Sequence, residues 1–400
     1  MRIEWQDLDV NGDWLSGYSK IHEGIISGTF PAHRRRFAVW TCSELNVPVS
    51  PESTARCAGL ANRLLGIISA FLYAILTERA LIIEWPGDEA SHLANFLYSP
   101  YLRWNATRST WSHLDAISLD TRVGSGRSGW LGVRRELRTF HWLNDHKASV
   151  VKLTLLEGYF DDLLQNPNLA AACLYGLNLK TSDEVLGRLG RILFHAHNSL
   201  DDDIMARSVG STFRLGVQIR IGMFEAGAMG IGMTELERFR VKLLKVLAKL
   251  SQKHSSTLIV LACDSLEAIA LAKSWNLNVN GMTVRISSSS SAIGSVDFNQ
   301  SSAIMASTIF DFWSLAVCDE VLVSVPSTFG LVARLLNLTG SVEHFAFLRS
   351  DWEAVLWNKY AAIMAEDEHV DYKRIFGRAF CSTVGWTGDL CLHEEVDFGT

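Results

Sequence analysis

From residue 205 to residue 350, strand-like and helix-like stretches alternate without a break, and that alternation restricts the fold more than any other feature of the chain. Leu215–Ile221 is an apolar run of strand length, and Thr234–Leu250 repeats apolar residues at helical spacing. Thr257–Ala262 is again strand-like, Ser265–Trp275 helical, Thr283–Ile286 extended, Ser301–Val317 helical, Glu320–Val325 extended and Ser327–Leu336 helical. Strands separated by helices bury both faces of a parallel sheet, which predicts a doubly wound, Rossmann-like α/β domain. Its first long helix opens with Thr234 and Glu237 at capping-box spacing. An earlier set repeats the pattern. Phe37–Trp40 reads as a strand, Gly59–Glu78 as a helix whose Leu60, Leu64, Ile67, Ile68, Phe71, Leu72 and Ile75 share a wide apolar face, and Ala80–Trp85 and Val150–Leu156 as strands. With 400 residues, 48% of them apolar, the chain can fill two cores. Residues 1–36 read as glycine-interrupted turns ending in a solvated positive edge, His33–Arg36. The stretch 91–132 carries no assignable period, although Trp104, Trp111 and Trp130, with Trp142 beyond, offer rings either to a sugar or to a core.

The strand Leu215-Gly216-Val217-Gln218-Ile219-Arg220 ends in a guanidinium. Arg is seldom buried without a partner, so Arg220 demands an anion, either a ligand or an internal carboxylate. Ser324-Val325-Pro326-Ser327-Thr328-Phe329-Gly330 sets two hydroxyl residues at a helix start, where orphan N–H groups and the positive end of the dipole suit a phosphate. The plainer reading is that Ser327 or Thr328 is only an N-cap. Open α/β sheets bind ligands at the carboxyl ends of their strands, so Arg220 together with Ser327 and Thr328 favours the phosphate. Glu157 comes just after the strand Val150–Leu156, where a carboxylate is either functional or a turn cap. The turn Cys57–Arg63 enters its helix with Asn62 and Arg63, as a ligand-facing pair or as a plain helix start with a surface Arg. His195-Ala196-His197 and Asp201-Asp202-Asp203 lack the partner cluster of a metal site, and the triple Asp reads better as a solvated acidic turn.

A net charge of −6 gives no general attraction for nucleic acid or an acidic membrane surface. The longest mainly apolar run, Leu64–Leu76, is shorter than the roughly 20 residues of a membrane span. Met1 followed by Arg2, Glu4 and Asp7 does not read as a signal peptide. Seven cysteines, at 42, 57, 173, 263, 318, 381 and 391, show no metal-ligand spacing. They read mostly as buried thiols, with Cys381 and Cys391 a candidate bridge in a secretory compartment.

Five blocks share one resemblance. They are Gly59-Leu60-Ala61-Asn62-Arg63 followed by Ser69-Ala70-Phe71-Leu72-Tyr73-Ala74-Ile75-Leu76-Thr77-Glu78-Arg79; Leu189-Gly190-Arg191-Ile192-Leu193-Phe194-His195 with Asn198; Gly216-Val217-Gln218-Ile219-Arg220; Ser327-Thr328-Phe329-Gly330 with Val332-Ala333; and Phe376-Gly377-Arg378-Ala379. In order and spacing they resemble the plant-type xyloglucan α-1,2-fucosyltransferases, glycosyltransferase family 37. The resemblance implies an α/β glycosyltransferase B-type fold with two Rossmann-like domains facing a cleft. It implies an inverting, metal-independent transfer of L-fucose from GDP-fucose to an oligosaccharide or polysaccharide acceptor, α-1,2 to galactose, with no cofactor beyond the donor. It further implies a Golgi lumenal setting behind an anchor that these residues do not include; a homodimer is left open.

On the same resemblance, residues 1–185 form an acceptor-side domain, 186–345 the GDP-sugar domain, and 346–400 a tail packing back across both. Arg220 clamps the diphosphate with Ser327 and Thr328. Gln218, Asp264, Ser324, Phe329, Gly330, Asn62 and Arg63 surround the donor, and Glu157, where the family has Asp, accepts the acceptor's proton. Ala61, Leu331 and Phe376 stand where the family has Gly, Tyr and Cys. These departures keep open a pseudoenzyme that binds glycan or nucleotide without turnover, and a transferase for another nucleotide sugar is the enzymatic alternative. Residues 86–150 match poorly, so xyloglucan itself is not carried over as the acceptor.

Overall fold

A computed structural model of the chain describes residues 13–42, 57–86, 92–121, 127–139, 148–156, 158–164, 166–167, 182–200, 202, 204, 213–220, 232–288, 302–324, 328–336 and 345–347. The chain divides into two compact units. The first comprises residues 1–180, 184–209 and 289–313, and the second 181–183, 210–288 and 314–400. The division read from the sequence at 185 differs from this one for a local reason: a strand beyond residue 184 pairs with the first unit.

The first unit begins with helix α1 (Asp13–Ile26), strand β1 (Phe37–Thr41), helix α2 (Leu60–Leu76) and strand β2 (Ala80–Glu84). It continues through β3 (Leu97–Tyr98), β4 (Ala116–Asp120), α3 (Arg127–Thr139), β5 (Val150–Thr154), α4 (Phe160–Leu164), α5 (Ser182–Leu193) and β6 (His195–Ala196). Its main sheet has the order β2-β1-β5-β4 with every pair parallel. All five residues of β1 are buried, as expected of a strand covered on both faces. In α2 every residue but Asn62 is buried, so the apolar face read from the sequence becomes burial all round.

Two differences from the sequence reading have clear causes. Residues 13–26, expected to be turns, are helical, because Leu15, Tyr18, His22 and Ile25 recur at helical steps and are buried. Ile25 joins Phe37, Val39, Ile82, Trp111 and Val150 in one core, and the Tyr18 hydroxyl donates to the carbonyl of Arg79 at 2.8 Å. Gly17 and Gly24 had masked that period. The unassigned stretch contains β4 and leads into α3, and its Trp104 and Trp111 are core residues at 2% exposure. After it, β6 pairs antiparallel with β3, and the Trp104 Nε1 donates to the carbonyl of Leu193 at 3.1 Å, which binds the end of α5 to the first unit.

The chain then runs through β7 (Phe213–Ile219), α6 (Gly232–Leu250), β8 (Ser256–Cys263), α7 (Leu266–Ser274), β9 (Thr283–Ser288), α8 (Ser302–Ala316), β10 (Glu320–Ser324), α9 (Thr328–Leu335) and β11 (Phe345–Phe347). These strands form the second sheet, all parallel, in the order β11-β10-β7-β8-β9. Read from its far edge this is the 3-2-1-4-5 order of dinucleotide-binding sheets, with the topological switch between β7 and β10. Gly216 in β7 leaves room for the last turn of α8 and for Cys318 just beyond it: a Cβ there would lie 3.1 Å from Leu315 Cδ2 and 3.3 Å from Cys318 Sγ. Burial pushes the Cys318 thiol up to about 12, so it behaves as an apolar filler. Helix α6 starts at Gly232, two residues ahead of the Thr234 read as its opening, and Glu237 accepts from the Arg240 Nε at 2.8 Å. Among the described residues no helix is long and apolar enough to cross a membrane.

Candidate functional site

The switch in the second sheet brings the two best sequence motifs to one place. Gln218 of β7 is in register with Val323 of β10, and each strand runs out shortly beyond, β7 into Arg220 and β10 at Ser324, with α9 beginning at Thr328. On the other side of β7, Ile219 is in register with Cys263 of β8. One residue farther along, Arg220 and Asp264 therefore leave the sheet from adjacent strands. Gln218 is buried, Arg220, Asp264, Thr328 and Phe329 are partly buried, and Gly330 is buried.

Gly330 is the closest contact between the motifs. A Cβ on it would lie 2.4 Å from Val323 Cγ1 and 3.1 Å from Gln218 Oε1. The first turn of α9 thus sits directly on β10 and on the Gln218 amide, with no side chain between them. This arrangement gathers a guanidinium, a carboxylate and the amino end of a helix at the carboxyl edge of one sheet, a set of groups suited to a phosphorylated ligand with hydroxyls.

In the first unit the block that begins at Gly59 meets the segment around Glu157. A Cβ on Gly66 of α2 would overlap the carbonyl of Leu155 at 1.7 Å, and the same carbonyl accepts from Trp40 Nε1 at 3.0 Å. Ser69 Oγ donates to the Leu65 carbonyl and accepts from the Tyr159 N–H, both at 2.9 Å. The chain leaving β5 is therefore pinned to α2 at Leu155 and Tyr159. Beyond it, Asp162 is buried between Arg134 (2.9 Å) and Arg138 (2.7 Å), two residues one helical turn apart on α3, while Arg134 Cζ lies 5.2 Å from the Tyr159 ring centre. Gly66 and Asp162 were not singled out in the sequence, and Trp40 and Ser69 entered it only as part of a strand and of a family block. The one signal for Gly66 was a glycine in the middle of an apolar helix, which is tolerated only for a packing reason.

The Asn62–Arg63 turn is not the plain helix start with a surface Arg. Arg63 is fully buried, not a surface residue. Its Nε donates to the carbonyls of Cys57 (3.2 Å) and Ala58 (2.8 Å), and its Cζ lies 5.2 Å from the Trp85 ring centre. Ala58 is held at φ 56°, and Cys57 is bridged to Cys42 at the end of β1. These two cysteines correct the expectation of ordinary thiols; the pair Cys381 and Cys391 lies outside the described residues. At the neighbouring strand ends, Thr41 Oγ1 donates to Glu84 at 2.7 Å, and Arg108 approaches the other oxygen of Glu84 at 3.4 Å.

Glu157 and Ser327 lie outside the described residues, as do Asp201, Asp203 and the tail after 347, while Ser324 is fixed only as the last residue of β10. His195 and His197 alternate on β6 and the residue beyond it: His197 Nε2 lies 3.0 Å from the Ala94 carbonyl, and its ring stacks on Tyr98. Among the described residues no group of His, Cys, Asp and Glu is arranged to hold a metal ion.

Comparison with known proteins bears on the family and the fold. Residues 51–105, the segment that contains α2 and β2, match the family model described as xyloglucan fucosyltransferase. No curated protein matches the chain. Among solved structures, a variant of Arabidopsis thaliana FUT1 in complex with GDP aligns at a TM-score of 0.56 and 16% identity, over 84% of this chain and 78% of that one. The NodZ α-1,6-fucosyltransferase soaked with GDP-fucose aligns at a TM-score of 0.47 and 17% identity, over 76% of this chain and 92% of that one. The pair of parallel α/β sheets is the glycosyltransferase B-type fold, as the sequence led us to expect.

Proposed function

We propose that this chain, a divergent relative of the xyloglucan fucosyltransferases and hence a glycosyltransferase, moves L-fucose from GDP-fucose to a galactose-bearing glycan with inversion, forming an α-1,2 linkage. The observation that carries this reading is the junction at the sheet switch, where the start of α9 rests through Gly330 on Val323 and on Gln218, two residues before Arg220. In the reaction an acceptor hydroxyl attacks the anomeric carbon from the face opposite GDP. The bond from that carbon to the β-phosphate oxygen breaks, and the electron pair leaves with GDP.

Negative charge grows on the diphosphate as that bond breaks. The Arg220 guanidinium, the α9 N–H groups and the hydroxyls of Thr328 and Ser327 are the groups to stabilise it, acting without a metal ion. Asp264, at the end of the second strand of its sheet, is placed like the acid that takes a ribose hydroxyl in dinucleotide-binding sheets. The acceptor proton goes to Glu157, which comes directly after the segment pinned by Trp40 and Gly66. The Cys42–Cys57 bridge supports an oxidising compartment such as the Golgi lumen. Arg63, buried in its own loop, acts on the donor only by shaping that loop.

Incubation with GDP-fucose and neutral galactose-terminated acceptors, read by NMR of the product, tests the proposal. An α-linked fucose, formed equally well in a chelator, is expected. Replacing Arg220 by Ala should slow turnover at least about 100-fold, the scale for losing one preorganised charge-stabilising donor. Product formation at the wild-type rate in that variant, or no fucosyl transfer to any acceptor that binds, would sink the assignment.

A further inference from the structure

The loop between β3 and residue 105 of the first unit presents aromatic rings that the transfer chemistry at the second sheet does not use. Tyr98 and Tyr101 are 38% and 49% exposed, among the few large apolar side chains at the surface of the described residues. Tyr98 stacks on His197 with ring centres 5.0 Å apart and an interplanar angle of 28°, and His195 lies against both tyrosines, 5.9 Å from Tyr98 and 6.4 Å from Tyr101.

The rings are held from below. Ser99 Oγ donates to the carbonyl of Ile192 at 2.6 Å and accepts from the N–H groups of Tyr101 and Leu102. Trp104 is fixed to Leu193, and its carbonyl accepts from Ile83 N–H of β2 at 2.8 Å. A cavity of about 370 Å³ opens beside them, lined by Tyr98, Tyr101, Asn105 and His197 and, as the one charged residue among the described ones, Arg103. That volume is at the small end of the range for ligand sites, roughly 300–1,000 Å³.

The composition of the cavity selects its occupant. Among the described residues no carboxylate lines it to attract a cation, and its one cation there, Arg103, is shared with Glu23 at 2.9 Å. Flat exposed rings with a polar tip suit a ligand that has an apolar face and a hydroxylated rim, and a pyranose ring has both. Because the rings are fixed before binding, little side-chain entropy is lost on contact.

We propose that Tyr98, Tyr101, His195 and His197 form a subsite for a neutral sugar ring of the glycan acceptor. Its identity as an acceptor subsite rests on the function proposed above; its capacity to bind a neutral sugar does not. The sequence pointed to tryptophans for such stacking, but Trp104 and Trp111 lie in the core and the exposed rings are tyrosines.

Saturation-transfer NMR and titration of the whole chain with neutral galactose-terminated oligosaccharides, with their sialylated counterparts, and separately with GDP, test the subsite. Neutral oligosaccharides should bind in preference to sialylated ones. Tyr98→Ala combined with Tyr101→Ala should weaken them by about tenfold or more, while Tyr98→Phe keeps most of the affinity. GDP affinity should not change in any variant, which also controls for folding. Wild-type oligosaccharide affinity in the double Ala variant, preference for the sialylated forms, or no oligosaccharide binding by a chain that binds GDP would overturn the subsite. A chain that binds the oligosaccharides but not GDP would overturn the donor assignment and leave the subsite standing.

Discussion

Burial pushes the His22 imidazole of α1 down to about 4, with the neighbouring Arg103 charge a smaller influence in the same direction. In the unfolded chain a histidine takes up its proton near pH 6.5. The folded state therefore binds fewer protons between about pH 6.5 and pH 4, and stability must fall as pH falls through that window. The loss amounts to about 3 kcal/mol when complete and is absent above neutral pH. Denaturant unfolding of wild type and His22→Leu across pH 4 to 8 should show a steeper acid loss in wild type; parallel profiles would contradict the assignment.

The arginines show where single-residue reading stops. Arg63 and Arg79 are fully buried, and Arg79 Nη1 donates to carbonyls at the amino ends of β1 and β5, at 3.4 Å from Phe37 and 3.0 Å from Ala148. Desolvation lowers the pKa of Arg79, consistent with a structural role. Nothing in local sequence separates these from Arg220. Position does separate them: Arg220 leaves a strand at the carboxyl edge of its sheet, partly exposed, and that placement comes from the strand's rank in the alternating pattern.

Among the secondary-structure elements, α9 meets β10 and β7 at the junction on which the proposed site rests. Gly330→Ala would drive a Cβ into Val323 and against Gln218, and neither side can yield without moving the helix, since Val323 is β-branched and sits in a central strand. Overpacking of this kind costs about 1–3 kcal/mol. The variant should melt at lower temperature and bind GDP more weakly than wild type, whereas Gly59→Ala, with nothing within 4 Å of the added Cβ, should leave GDP affinity unchanged. Equal GDP affinity in both would separate the α9 junction from the nucleotide.

Most of these elements were legible in the sequence because their apolar spacing is regular. In β1, β2, β5, β7 and β8 burial tracks the apolar pattern, whereas α2 is buried all round and α7 leaves Leu266 and Leu271 exposed. Helix α1 was not legible, since its buried face includes a His and a Tyr and two glycines interrupt it. The close contacts at Gly66 and Gly330 were not legible either, because they depend on which strand a helix crosses rather than on the composition of either.

For the whole molecule, two parallel sheets of the glycosyltransferase B-type fold set the limits of function, and the order of the second sheet sets the strand ends where the donor is proposed to bind. Strand order is a long-range property: sequence joined Arg220 to Ser327 and Thr328 only through the fold class and the family resemblance, and the register of β7 on β10 at the switch was not legible in it. The bridge between Cys42 and Cys57 was likewise hidden by a separation of 15 residues and the absence of any motif.

Calorimetric titration of the chain with GDP, UDP and CMP, repeated on Arg220→Lys, tests the central claim most directly. A lysine keeps the charge but cannot reproduce a bidentate guanidinium contact. The account predicts preferential binding of GDP and a loss of about tenfold in the variant, the scale of one charge-assisted contact. Equal affinity for the three nucleotides, or a GDP affinity untouched by the substitution, would contradict it.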